Sequence, residues 1–597
     1  MRPHCCQFDP KTIRYYRALK NISKFLNKHL MLIILALGMW VFFFFPFTRW
    51  AGDYLDSDGY MRALRIYHLL LAPSFGEQPI FETNYPFGEI LHWTRPMDLI
   101  WLAMMPFSLP LQLNLKDAVF FSGAFVSPMI GILAMLMLGY GLRRHFNVYL
   151  VLLGCSLLAL NEGITIAFAP SFPDHHSLMV LLAFAAQTFT LCWLKKRQNK
   201  YLYLIGISLA LSVFTVVEGV LLYVLFLVFF LYLYIFKNLS LQPAVKISFS
   251  FAVALSFFLL LNPPYEGVWF VDTGRISIFY VVAAWLAYAG FLILNLSHLH
   301  VVQIKILSLV AMTLGFLLIL LVLFGLEAFK LPISPKVHEI FNSRIVGMHD
   351  VTSFSMGEIC NYGTISIIAL ILNVLMLRNY SQRRLMIFNL CLLLPLFILS
   401  LFAIRALVFC RIFSILPYVA CVDYLYKKSA FAHHKNADFP AYIWLIVLFF
   451  ISLNTISQLP YVLKFKGNAK EYINPAICQR VRSIGGTLLT DVFFAVSYVW
   501  KCDVNTVSSP YHRNEQGIYD SHIIFNAETD GQTIPLLLRH QITQILLFDK
   551  YSNSYYKLDE SHKNKLYYRL IKRENVPPYL VEIPTNMPQA RLYEVKI

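Results

Sequence analysis

Uncharged runs long enough to cross a bilayer constrain this chain more than any other feature. Met31 to Phe47, Val220 to Phe236 and Ile306 to Leu326 contain no charged residue. A helix needs roughly 20 apolar residues to span a hydrocarbon core, and these runs reach or approach that length. Only 14% of the 597 residues are charged, while 58% are hydrophobic. A soluble domain carries about a quarter of its residues as charges. The sequence therefore reads as a polytopic α-helical membrane protein.

Run length predicts about thirteen transmembrane helices. They fall roughly at 30–48, 115–141, 147–169, 176–195, 201–217, 219–236, 244–262, 275–296, 303–326, 364–378, 385–401, 404–425 and 441–459. The apolar stretch 97–113 is broken by Pro106 and Pro110 and reads as a surface or re-entrant segment. Residues 1–29 form a basic tail, with Arg2, Lys11, Arg14, Arg17, Lys20, Lys24 and Lys28, and no cleavage site follows the first apolar run. With that tail inside, the basic clusters Arg143-Arg144-His145, Lys195-Lys196-Arg197, Arg378 with Arg383-Arg384, and Lys427-Lys428 all fall on the cytoplasmic side, as Lys/Arg-rich loops do. The net charge of +17 has the same origin, so no nucleic-acid partner is expected.

The transmembrane part is thus 30–459, with outer loops 49–96 and 327–363, and residues 460–597 form an extracytoplasmic domain. In that tail, Gly486 to Thr490 and Ile542 to Phe548 read as buried strands and Gln532 to Arg539 as a helix. A small α/β domain fits. Of ten cysteines, Cys478 and Cys502 lie in this polar region, and whether they pair is left open.

Two acidic motifs flank predicted spans on the outer side. In Asp56-Ser57-Asp58-Gly59-Tyr60-Met61-Arg62, two carboxylates beside a glycine suit a hard cation such as Mg²⁺ or Mn²⁺. In Pro173-Asp174-His175-His176, carboxylate and imidazole together suit Mn²⁺ and similar ions. Each motif also reads as a helix cap. Arg411, six residues after Arg405, sits in a predicted late span, where a charge is costly and points to function or to snorkelling. The first outer loop ends in His92-Trp93-Thr94-Arg95-Pro96, an aromatic beside a cation. That pairing suits a sugar or phosphate, and equally an interfacial anchor. The most unusual polar string of the tail is Pro510-Tyr511-His512-Arg513-Asn514.

Asp58-Gly59-Tyr60 after the first span and Asp174-His175-His176 before the fourth resemble the motifs of oligosaccharyltransferase catalytic subunits, membrane glycosyltransferases of the GT-C superfamily. The Asp-His-His form is similar to the archaeal one. The resemblance implies Asp58 as a metal ligand and as the catalytic acidic residue of the first loop, with Asp174 and His176 as further ligands and Asp56 as the alternative. It implies a loop acid in a Thr-Ile-x-Glu pattern. Here Arg344-Ile345-Val346-Gly347 lacks that acid, leaving Glu339, Asp350 and Glu358 as candidates nearby, with Glu339 or Asp350 favoured because they flank the string. It implies that Arg411, with Arg405, binds the phosphate of the donor, and Arg95 joins them as a substrate-binding candidate. The family's acceptor motif, Trp-Trp-Asp-Tyr-Gly, has no counterpart after residue 460.

The expected protein is a metal-dependent glycosyltransferase using Mn²⁺ or Mg²⁺. It would move a sugar or oligosaccharide from a polyprenyl-phosphate or -pyrophosphate donor to a protein or glycan acceptor. The expected setting is a bacterial inner membrane, with the site and the C-terminal domain in the periplasm. The competing readings are a transferase acting on a lipid or surface glycan, and a transporter or flippase of a lipid-linked substrate. A transporter should show pseudo-repeated broken helices with charge at the midplane, and no convincing repeat is visible.

Overall fold

The computed structural model describes residues 10–44, 53–73, 76–330, 333–342, 356–379, 381–403, 406–428, 473–549 and 558–597. Among these, nine helices are long and apolar enough to cross a membrane, from Lys24–Phe42 to Leu407–Lys428. The Val302–Phe324 helix buries only Lys305 and Leu320, as a lipid-facing helix does. His175–Lys196 is mostly buried among its neighbours. Four shorter apolar helices, including Val148–Ala159 and Gly363–Arg378, accompany them. The chain is a polytopic helical membrane protein. The span expected at 441–459 lies outside the described residues.

The broken stretch 97–113 is a helix over Pro96–Met104 that continues as 3-10 helix over Met105–Leu111. Pro106 and Pro110 cannot donate to an α-helical ladder. Phe107 and Leu109 there are 64% and 74% exposed.

The C-terminal domain is built on five strands: β1 (Thr487–Leu489), β2 (Asn505–Thr506), β3 (Ile542–Phe548), β4 (Leu580–Ile583) and β5 (Ala590–Val595), in the order β2-β1-β3-β5-β4. The first three run parallel, and β5 is antiparallel to both of its neighbours. Alternate side chains of a strand face opposite sides, and β3 feeds two cores. Ile545 and Leu547 pack with Leu537, Tyr567 and Leu570 on one face. Leu546 and Phe548 pack with Ile477, Val481 and Tyr498 on the other. Burial on both faces explains why this strand reads as a continuous apolar run. Cys478 and Cys502 form a disulfide joining the Pro475–Ile484 and Val492–Cys502 helices.

The domain sits on the first polar loop of the bundle. Thr506 N–H donates to the Glu82 carbonyl (2.8 Å) and Tyr85 N–H donates to the Thr506 carbonyl (3.1 Å). Lys501 pairs with Asp53, and Lys116 pairs with Asp503.

Candidate metal and phosphate site

The two acidic motifs converge. Carboxylate oxygens of Asp56, Asp58 and Asp174 all lie within 4.8 Å of one another, and Asp174, His175 and His176 form a second such group. Asp174 belongs to both.

The helix-cap reading holds for one motif and fails for the other. Asp56 caps the Ser57–Leu71 helix, its Oδ1 accepting from Gly59 N–H at 3.1 Å. Asp174 occupies the N-cap position of the His175–Lys196 helix, but its side chain makes no capping bond. It turns instead to His175 Nδ1 (2.5 Å) and His176 Nε2 (3.5 Å). Gly59 is needed for closeness rather than flexibility. It lies in the helix, and a Cβ there would stand 2.9 Å from the Tyr54 ring.

Electrostatics favours a cation among these groups. Burial and the charge of Asp174 push the Asp58 carboxyl up to about 6. Burial and both neighbouring carboxylates raise Asp56 as well. Burial also works against the Asp174 carboxylate, yet His175, His176 and Arg62 outweigh it and hold its carboxyl well below the usual range. Three carboxylates this close repel one another unless a proton or a metal intervenes. Oxygen with imidazole nitrogen is a donor set that divalent cations accept.

Both polar strings singled out in the sequence meet at this site. Tyr511 donates its hydroxyl to Asp58 Oδ1 at 3.1 Å. Its ring packs edge-on against Trp93 at 4.8 Å, and the Arg62 guanidinium lies 4.2 Å from the Trp93 ring centroid. The His92 and His512 rings stand 4.3 Å apart. Burial and nearby cations lower both, His512 to about 4.

Arg411 is buried in the Leu407–Lys428 helix. It lies over Gly163, where a Cβ would fall on its guanidinium. Gly163 belongs to the connection that runs on to Asp174. Arg95 is held in a buried network, donating to Asp98 Oδ2 (3.1 Å) and to the Gly76 carbonyl (2.8 Å). Glu339 is exposed on the Pro335–Asn342 helix, whose Val337 packs against Val492 and Ile518. Asp350 and Arg405 lie outside the described residues. Tyr511, Arg62 and His175 were not among the expected site residues. Each lay inside a string the sequence singled out, Arg62 one helical turn after Asp58, but none of the three was given a role there.

The same arrangement of bundle and domain occurs in solved structures. The oligosaccharyltransferase AglB from Archaeoglobus fulgidus, solved with an inhibitory peptide and a dolichol-phosphate, superposes with a TM-score of 0.64 at 13% identity over 88% of this chain and 70% of that one. The fold is that of the archaeal oligosaccharyltransferases. The A. fulgidus oligosaccharyltransferase in complex with Zn and sulfate gives a TM-score of 0.61 at 14% identity, covering 88% of this chain and 69% of that one. The same enzyme tethered to an acceptor peptide containing the NVT sequon gives 0.61 at 14%, covering 89% and 70%. No family model matches the chain, and a search of the curated proteins gave no match.

Proposed function

We propose that this protein is a metal-dependent glycosyltransferase of the oligosaccharyltransferase type. It would transfer a sugar or oligosaccharide from a polyprenyl-phosphate or -pyrophosphate donor to an acceptor on the extracytoplasmic face. One observation carries the reading. Asp56, Asp58 and Asp174, from two motifs more than a hundred residues apart in sequence, meet within 4.8 Å on the fold of proteins solved with dolichol-phosphate, Zn and sequon peptide.

Asp58, Asp174 and His176 hold Mn²⁺ or Mg²⁺ in this reading, with Asp56 beside them. The ion, when bound, acts as a Lewis acid toward phosphate oxygens. Tyr511 fixes the Asp58 carboxylate through its hydroxyl. Arg411, with Arg405, binds the donor phosphate through the paired N–H donors of a guanidinium. Asp58 and an acid of the long loop, Glu339 or Asp350, orient the acceptor's nucleophile.

The missing Trp-Trp-Asp-Tyr-Gly string supports a second acceptor class, a lipid or surface glycan rather than a protein. The setting proposed is a bacterial inner membrane, with the site and domain in the periplasm.

The test uses the full-length protein in detergent with its native lipid-linked donor. Asp58→Asn and Asp174→Asn should each lower transfer by about a hundredfold or more, and should abolish Mn²⁺ binding read by electron paramagnetic resonance. Full transfer activity in both variants would exclude this site.

A further inference from the structure

The Ser57–Leu71 helix carries a second polar centre. Asp58, Arg62, Arg65 and Leu69 follow one another at four, three and four residues, so they share one face. Arg65 lies seven residues beyond Asp58, about 10 Å along the axis. There it enters a buried network. Its Nη2 pairs with Glu77 (3.1 Å) and its Nε with Asp98 (3.0 Å). Arg95 pairs with Asp98, and Arg275 pairs with Glu77 at 3.3 Å. These five side chains are at most 5% exposed.

The charges do not balance. Arg62 also approaches Asp98, at 3.6 Å, but it lies 3.4 Å from His175 as well and serves the carboxylate site. Without it, three guanidinium groups face two carboxylates among the described residues. Arg513, close by, is matched by Asp272. At least one buried positive charge is thus left over among the described residues, and an uncompensated buried charge is strongly unfavourable. Arg95 Nε is also buried with no hydrogen-bond acceptor. Burial and the neighbouring Arg65 lower the Arg95 pKa, as expected for a cation short of counter-charge.

A cavity of about 250 Å³ opens onto this excess. Arg65, Arg95 and His68 line it beside Gln78, together with Glu77, whose carboxylate is already engaged by Arg65 and Arg275, and Leu69 and Leu91 supply an apolar wall. The volume equals that of roughly eight liquid waters, room for an anionic head and a few carbons. The Glu82 carboxylate engages His68 (2.8 Å).

We propose that this cavity binds a phosphate monoester or diester carrying an apolar chain, its phosphate on Arg65 and Arg95 and the first carbons of the chain along Leu69 and Leu91. The site is separate from the metal centre and does not depend on it. Two sources share the chemistry, a lipid head group and free phosphate, and the apolar wall favours the former.

The test is calorimetric titration of the full-length protein carrying Arg411→Gln, in uncharged detergent with EDTA present, so that neither a metal-bound phosphate nor the arginine proposed for the donor contributes. The probes are decyl phosphate, inorganic phosphate and decanol. Decyl phosphate should saturate one site and bind at least tenfold tighter than inorganic phosphate, while decanol should not bind there. Arg95→Gln should abolish this binding. Gln78→Glu, an exposed position outside the ion-pair network, adds a negative charge at the rim and should weaken binding at least fivefold even if the arginine variant fails to fold. Adding Asp58→Asn in that background should leave decyl phosphate binding unchanged, which separates this site from the one proposed for transfer. Absence of saturable binding, binding unchanged in Gln78→Glu, or inorganic phosphate binding as tightly as decyl phosphate would each overturn the proposal.

Discussion

Glu89 illustrates how one buried group can set a pH dependence. It is 3% exposed and accepts the Thr83 hydroxyl at 2.6 Å and the Ser509 hydroxyl at 2.7 Å, so it joins the first loop to the C-terminal domain. Burial pushes its carboxyl from 4.5 up to about 7 despite both hydroxyls. Between those values the folded protein keeps a proton that the unfolded chain has lost, so stability falls as pH rises through that window. The loss is on the order of 3 kcal/mol once pH exceeds 7. Glu89→Gln keeps the neutral shape. Its apparent Tm should therefore exceed the parent's at pH 8 and converge with it near pH 5, and parallel pH profiles for the two proteins would refute this assignment. Gly163 makes a second residue-scale case. A methyl there would displace the Arg411 guanidinium. If Arg411 holds the donor phosphate, Gly163→Ala should raise the KM for the lipid-linked donor about tenfold, with an overpacking cost of about 1–3 kcal/mol. An unchanged KM would detach Arg411 from the donor.

Elements decide which sequence signals survive folding. The Asp56 cap and the uncapping Asp174 looked alike in sequence, because the N-cap position is a local feature and the direction of the side chain is not. Tyr511 stood out as part of an unusual string, but its partner Asp58 is 453 residues away, a separation that no periodicity encodes. The same holds for the Arg275–Glu77 pair, whose partners lie in separate loops. By contrast, β3 and the Asp530–Arg539 helix were legible because burial on both faces, or on one, leaves its own period. The Cys478–Cys502 disulfide was left open in the sequence, and it closes a segment of 24 residues between two helices that cover one face of the sheet. A loop of that length gives about 3 kcal/mol of stabilisation in the chain-entropy account. Reductant should therefore lower the apparent Tm of the parent, while Cys478→Ser with Cys502→Ser should start low and not respond. A parent indifferent to reductant would show that the bridge contributes nothing to the domain.

At the scale of the whole molecule, the site belongs to neither half alone. The bundle supplies Asp174 and Arg411, the first loop supplies Asp56 and Asp58, and the domain supplies Tyr511. Thr506, Lys501 and Ser509 hold the domain on that loop, and His540 Nδ1 lies 2.8 Å from the Tyr85 carbonyl oxygen. The length of the apolar runs made the helical bundle legible, because crossing lipid demands it. The seam between bundle and domain was not legible, since its contacts are polar and distant in sequence. Because domain and acidic motifs are docked together, they must share one side of the membrane, and the basic loops at the other end of the helices should lie in the cytoplasm. Gln532, on the exposed side of the domain, and Lys196, at the far end of the His175–Lys196 helix, report the two sides. In intact cells, Gln532→Cys should react with a membrane-impermeant maleimide and Lys196→Cys should not, each compared with the parent. After permeabilisation both should react. The reverse pattern would place the site in the cytoplasm and remove it from any lipid-linked donor displayed outside.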